Sequence, residues 1–172
     1  MCHKVEKSGD HLPRRAPAIH HEESSPSMFL GEFEHTIDDK GRLIIPAKLR
    51  AGLEEGMVIT RGLDPCLWVF SPEEWAPLAE RISSLPLTNA AFRDFARLMF
   101  SGAAEAVPDA QGRVLIPSYL RRYAQLDGDV VIIGLNRRLE IWNRDLWNER
   151  KARMEADVDG IAQRLSDLNV GI

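Results

Sequence analysis

Two arginines, Arg42 and Arg113, each stand one residue after a glycine and four after an aspartate, in DDKGR (38–42) and DAQGR (109–113). A guanidinium held on a stiff turn can bind a phosphate or a guanine edge through two parallel N–H donors, which a lysine cannot copy. The same spacing admits a plainer chemistry. Asp38 and Asp109 can accept the arginine fork as an ion pair that merely locks the turn. From motif shape alone the two readings stay open. Lys40, Lys48, Arg50, Arg121 and Arg122 lie close by in sequence and are candidates for phosphate contacts around Arg42 and Arg113.

No competing constellation is present. The sequence has no glycine-rich phosphate loop, no HExxH, no GxSxG and no Cys-x-x-Cys. His35 is the single histidine after residue 27, and beside a turn it reads as a surface or packing residue. Glu54-Glu55 and Glu73-Glu74 have helix-end explanations. Cys66 aligns with Arg138 in the repeat described below, so neither a disulfide framework nor a metal quartet is implied. No catalytic residue, metal or cofactor is expected.

The elements that must position the arginines occur twice. DDKGRLIIPAKLR (38–50) returns as DAQGRVLIPSYLR (109–121), shifted by 71 positions. After one inserted residue, GMVITRGLDPCLWVF (56–70) aligns with GDVVIIGLNRRLEIW (128–142). Such a repeat means one structural unit used twice. A lone unit of about 45 residues buries too little surface to stand comfortably alone, so the halves should share a core.

Within each unit, Asp38 and Asp109 open a type I turn. Gly41 and Gly112 close it in a left-handed conformation, giving a three-residue hairpin with a bulge. The segment 28–37 alternates as a strand, and short strands follow Arg42 and Arg113. Pro46 and Pro117 suit the first turn of a brief helix. Two further strands complete each copy, at 57–61 with 67–70 and at 130–133 with 139–142. Ser71-Pro72-Glu73-Glu74 reads as a capping box, and Asn143 as its counterpart. Phe92, Phe95 and Met99 mark a connecting helix ended by Gly102. Met154, Val158, Ile161, Leu165 and Leu168 form a heptad seam on a C-terminal helix, expected to pack within the chain, with a subunit contact as the alternative.

The domain boundaries expected are a leader over 1–27, a first repeat over 32–77, a helical connector over 78–103, a second repeat over 104–147 and the C-terminal helix over 148–172. The leader holds His3, His11, His20 and His21 in a polar, proline-bearing stretch, which reads as a solvated disordered tail rather than a metal site. Folding is expected to begin at Met28. No apolar run approaches the roughly 18 residues of a membrane span, and no signal peptide is apparent, so a reducing cytoplasm is the compartment expected.

A net charge of −4 and a sequence pI near 5.8 argue at first sight against nucleic acid. Screening over a Debye length of about 8 Å makes the local face decisive instead. Residues 109–122 contain one acid and three arginines. Several such faces held in register can multiply affinity by about 10²–10⁴, so an acidic binder of this size is expected to be an oligomer.

MFLGEFEHTIDDKGRLIIPAKLR followed by a second DxxGRxxIP copy resembles the MraZ family of bacterial transcriptional regulators, built from two SpoVT-AbrB-type units. The likeness covers Met28 to about Trp147 closely and the C-terminal helix loosely. It implies an α+β, mostly β fold in which the halves form an intramolecular pseudo-dimer, a double-split β-barrel with flanking helices. It also implies a ring of subunits, nucleoid-associated, with no enzymatic activity. The partner implied is double-stranded DNA carrying repeated promoter boxes, with repression of the regulator's own promoter and of the division and cell-wall gene cluster. The family's Asp-x-x-x-Arg motif falls on Asp38 and Arg42 and on Asp109 and Arg113, and so favours the DNA-contact reading of both arginines. Ala110-Gln111 stands where copy one has Asp39-Lys40, so the two turns need not contact DNA equally. A rival reading is an antitoxin-like protein whose main partner is a toxin. Such proteins usually carry one unit and a disordered partner-binding tail, whereas two units are fused here.

Overall fold

The computed structural model describes residues 28–170; the leader over 1–27, with the disorder expected of it, and the last two residues lie outside the described residues. The chain is α+β. Its strands are β1 (Phe29–Thr36), β2 (Arg42–Ile44), β3 (Met57–Arg61), β4 (Cys66–Phe70), β5 (Ala104–Ala106), β6 (Arg113–Leu115), β7 (Asp129–Asn136) and β8 (Leu139–Asn143). Its helices are α1 (Pro72–Ser83), α2 (Ala90–Gly102), α3 (Ser118–Tyr123), α4 (Arg144–Ala156) and α5 (Val158–Asp167), with a short 3₁₀ turn at Ala47–Leu49.

Six strands make an open sheet in the order β1-β7-β8-β4-β3-β5, and β2 pairs with β6 in a separate ribbon. Exchanging the repeats turns each pairing into another observed pairing. The β1–β7 pair becomes β5–β3, β7–β8 becomes β3–β4, and β4–β8 and β2–β6 map onto themselves. Neither repeat supplies its own neighbours throughout, so the two fold as one body. The sequence pattern predicts β1 but not its three-residue counterpart β5.

The turns close as their residue types demand. Gly41 N–H donates to Asp38 O at 2.8 Å, Gly112 N–H donates to Asp109 O at 2.7 Å, and both glycines sit at positive φ (80° and 77°). The expected hairpins, however, do not continue beyond these turns. β1 leaves to pair with β7, and β2 crosses to β6 of the other repeat. The crossing buries one face of the ribbon in a core that both repeats share. Leu43 and Val114 face each other at the middle of the ribbon, both buried, with Ile45 and Ile116 buried just beyond it. Burying each is worth about 1.5–3 kcal/mol, which a three-residue strand gains only against the shared core.

That core draws on both copies. Leu49 and Leu53 from the first meet Leu120 and Leu126 from the second, together with Ile59 and Ile132 of the sheet. Ser71 caps α1 by accepting from Glu74 N–H at 3.3 Å, with Pro72 at the first helical position, and Asn143 caps α4 by accepting from Asp145 N–H at 2.9 Å. Pro46 and Pro117 stand one residue earlier than expected, at the capping positions.

The C-terminal seam departs from expectation. Met154 on α4 packs within the chain as expected, against the Trp142 and Trp147 cluster, but the single helix expected breaks at Asp157 between α4 and α5. No residue of α5 is buried, and Val158 and Leu168 are 60% and 72% exposed. Gly160 weakens helix continuity here, and Asp157 accepts instead from Arg164 Nη2 at 2.8 Å.

Candidate nucleic-acid interface

Crossing the ribbon brings the two arginines together. Arg42 lies opposite Leu115, and Ile44 lies opposite Arg113. Because side chains alternate between faces, all four share the face turned away from the buried Leu43 and Val114. Arg42 and Arg113 are therefore diagonal neighbours, roughly 7–8 Å apart at the backbone. The other diagonal holds Ile44 and Leu115, exposed by 42% and 60%. Charge and turn chemistry in the sequence point to the arginines but not to these two aliphatics. Period-two alternation from Arg42 and Arg113 was the signal that would have found them.

Each arginine is aimed by its aspartate. Asp38 Oδ1 accepts from the backbone N–H groups of Lys40 (3.0 Å) and Arg42 (2.9 Å). Its Oδ2 accepts from Arg42 Nε at 2.8 Å and Nη2 at 2.7 Å. Asp109 repeats the arrangement, accepting from the Gln111 and Arg113 N–H groups at 2.9 Å each and from Arg113 Nε at 2.7 Å. Arg113 Nη2 turns instead to Gln111 Oε1, at 3.1 Å. The Arg42 backbone N–H is the largest influence holding the Asp38 carboxyl below the usual range, with its guanidinium adding to it; the Arg113 N–H does the same for Asp109. Ion pairing and presentation coexist here. A guanidinium has five donors, the aspartate uses two or fewer, and both side chains remain more than a third exposed.

The remaining candidates divide. Lys40 at the tip of the first turn and Lys48 on the 3₁₀ turn are exposed, as is Arg122 on α3. Arg50 and Arg121 are half-buried and engaged with backbone. Arg50 Nε donates to Ile45 O at 2.8 Å and its Nη2 to Gln111 O at 3.1 Å; Arg121 Nε donates to Ile116 O at 3.2 Å. Elsewhere, Arg61 lies over the rings of Tyr119 and Tyr123 and donates to Leu98 O, tying α2 to the sheet. Among the described residues no group of histidine, cysteine or acidic side chains could hold a metal ion, and no helix is long and apolar enough to cross a membrane.

Comparison with known proteins matches this chain twice to one family model, described as "MraZ protein, putative antitoxin-like", over residues 28–98 and 99–169. A protein of Desulforamulus reducens called transcriptional regulator MraZ is 47% identical over 141 residues, covering 82% of this chain and 99% of its own. Its namesake in Carboxydothermus hydrogenoformans is 49% identical over 140 residues, covering 81% and 98%. A third of that name, from a Roseiflexus species, is 50% identical over 141 residues, covering 82% and 99%.

Proposed function

The chain belongs to the MraZ family, and from that premise we propose that this transcriptional regulator reads double-stranded DNA with the β2–β6 ribbon. The observation that carries the reading is two aspartate-aimed guanidinium groups on one exposed ribbon face. A two-stranded ribbon fits the major groove, where arginine forks recognise guanine edges and apolar groups touch thymine methyls. Arg42 and Arg113 take the first role, Ile44 and Leu115 the second. Lys40, Lys48 and Arg122 supply phosphate contacts that set register without reading sequence.

The exchange of pairings between repeats supports the double-split barrel as the arrangement of the two halves. The exposed Val158 at the start of α5 and Leu168 just beyond its end support assembly into a homo-oligomeric ring. A ring repeats the ribbon at fixed intervals, which suits repeated promoter boxes, and the targets proposed are the regulator's own promoter and the division and cell-wall gene cluster, under repression.

A mobility-shift titration on the gene's own upstream region, at two salt concentrations, tests the reading. Arg42→Ala should cost about 1–3 kcal/mol of binding and relax sequence preference if the side chain reads a base. A phosphate-only role would instead lower the salt slope by about one unit. Wild-type protein that ignores its own upstream DNA in dilute buffer would overturn the proposal and return the toxin-partner reading. A strictly monomeric mass in solution would remove the ring.

A further inference from the structure

Arg50 and Arg121 carry the same guanidinium as Arg42 and Arg113, yet each is half-buried and spends its Nε on a backbone carbonyl. Each reaches from its own repeat to the turn of the other. Arg50 follows β2 in the first repeat, grips Ile45 O through Nε, and places Nη2 on Gln111 O in the second turn. Arg121 follows β6 in the second repeat, grips Ile116 O, and lies against Gly41 in the first turn. A Cβ built on Gly41 would stand 2.8 Å from Arg121 Cζ, and one built on Gly112 would run into Arg50 Cζ and Nε. The glycines therefore serve twice, by adopting positive φ and by admitting a guanidinium from across the repeat boundary. The ribbon fastens the same two places, since Ile45 N–H donates to Gly112 O at 2.9 Å and Ile116 N–H to Gly41 O at 2.9 Å.

We infer that Arg50 and Arg121 are crossed positioning residues, each holding the turn that aims the arginine of the opposite repeat. Arg50 sets Arg113, and Arg121 sets Arg42. This rests on the ribbon being the DNA-reading surface, but the bracing itself is a property of the free protein. The two braces differ in strength. Arg50 makes the shorter bond to its own carbonyl and adds a second bond to the turn, so its removal should be felt more.

A lysine keeps the charge and the reach but lacks the planar fork, which separates a brace from a phosphate contact. Amide exchange on the free protein is read residue by residue at the turns, 38–42 and 109–113, apart from Ile45 and Ile116, whose N–H groups bridge the two repeats. Arg50→Lys should speed exchange at 109–113 and leave 38–42 unchanged; Arg121→Lys should do the reverse. On DNA, Arg50→Lys should weaken binding about fivefold with an unchanged salt slope. That loss should vanish in an Arg113→Ala background and persist in an Arg42→Ala background. Loss of binding from Arg50→Lys that is equal in both backgrounds, or exchange that quickens in the variant's own turn, overturns the inference. Unchanged binding and exchange in Arg50→Lys restores the phosphate-contact role. Crossed exchange without any DNA binding by wild type leaves the brace standing and removes the DNA reading instead. Arg121→Lys, the milder of the two, keeps the test open should Arg50→Lys fail to fold.

Discussion

The two turns share a backbone and differ at their tips. In the first, Arg42 Nε and Nη2 both donate to Asp38, and Lys40 is left exposed at the apex. In the second, Arg113 divides its donors between Asp109 and the Gln111 side chain, while the Gln111 carbonyl receives Arg50. The second turn is more thoroughly tied into the fold; the first carries an extra exposed cation, Lys40, beside an extra exposed anion, Asp39. A duplicated scaffold has thus kept the geometry of its two heads and let their chemistry diverge. One head offers a cation at its apex, the other holds a fixed direction.

The largest effect expected from this contrast is on stability. Alanine at either turn glycine must adopt left-handed φ and push a guanidinium aside. At Gly112 it also breaks the Arg50 bonds to Ile45 O and Gln111 O. Gly112→Ala should therefore cost about 3 kcal/mol and Gly41→Ala about 2 kcal/mol, read from urea midpoints. Equal costs, or a greater one at Gly41, would mean that the second turn is not the more firmly braced.

The next effect is shared by both turns and appears in acid. Asp38 and Asp109 ionise below the ordinary aspartate range because the arginine N–H groups after them stabilise the carboxylate. A depressed folded-state value means that the contribution to stability is fully present above the unfolded value of about 3.9 and is lost as pH falls through the lower folded value. The Asp38→Asn, Asp109→Asn double variant should therefore show a shallower loss of stability than wild type from pH 4 downwards. Parallel acid curves for the two proteins would show that the aspartates aim the arginines without coupling to folding.

Local chemistry was legible in the sequence, and partnership was not. Asp38, Gly41, Asp109 and Gly112 announced the turns because backbone sterics act within five residues. Ser71 and Asn143 announced helix starts for the same reason. The crossing of β2 to β6 was hidden, since Leu43 and Val114 would alternate identically in a hairpin. The sequence makes Arg50 and Arg121 candidates for phosphate contacts because charge is visible in it, whereas the carbonyl 61 residues from Arg50 is not. The unbroken heptad at Met154–Leu168 predicted one packed helix; the Asp157–Arg164 contact that accompanies its break depends on side-chain reach, not on periodicity.

The smallest effect sharpens the comparison most directly, because it exchanges the chemistry of the two tips without touching either brace. Gln111 contacts Arg50 through its backbone carbonyl, so a lysine there retains that bond and loses only the side-chain acceptor for Arg113. Gln111→Lys should then add a phosphate contact, raising binding at low salt a few-fold and steepening the salt slope by about 0.9 for one extra ion displaced. Lys40→Gln should flatten the slope by a similar amount and leave Arg42 on Asp38, since the Lys40 contact with Asp38 is made by its backbone N–H. The combined variant, Lys40→Gln with Gln111→Lys, should return the slope to the wild-type value. If sequence preference among bound DNAs also stays unchanged, the tip residues tune attraction alone, and the reading of bases belongs to the ribbon beneath them. A preference that moves with the lysine would instead place base contact at the tips.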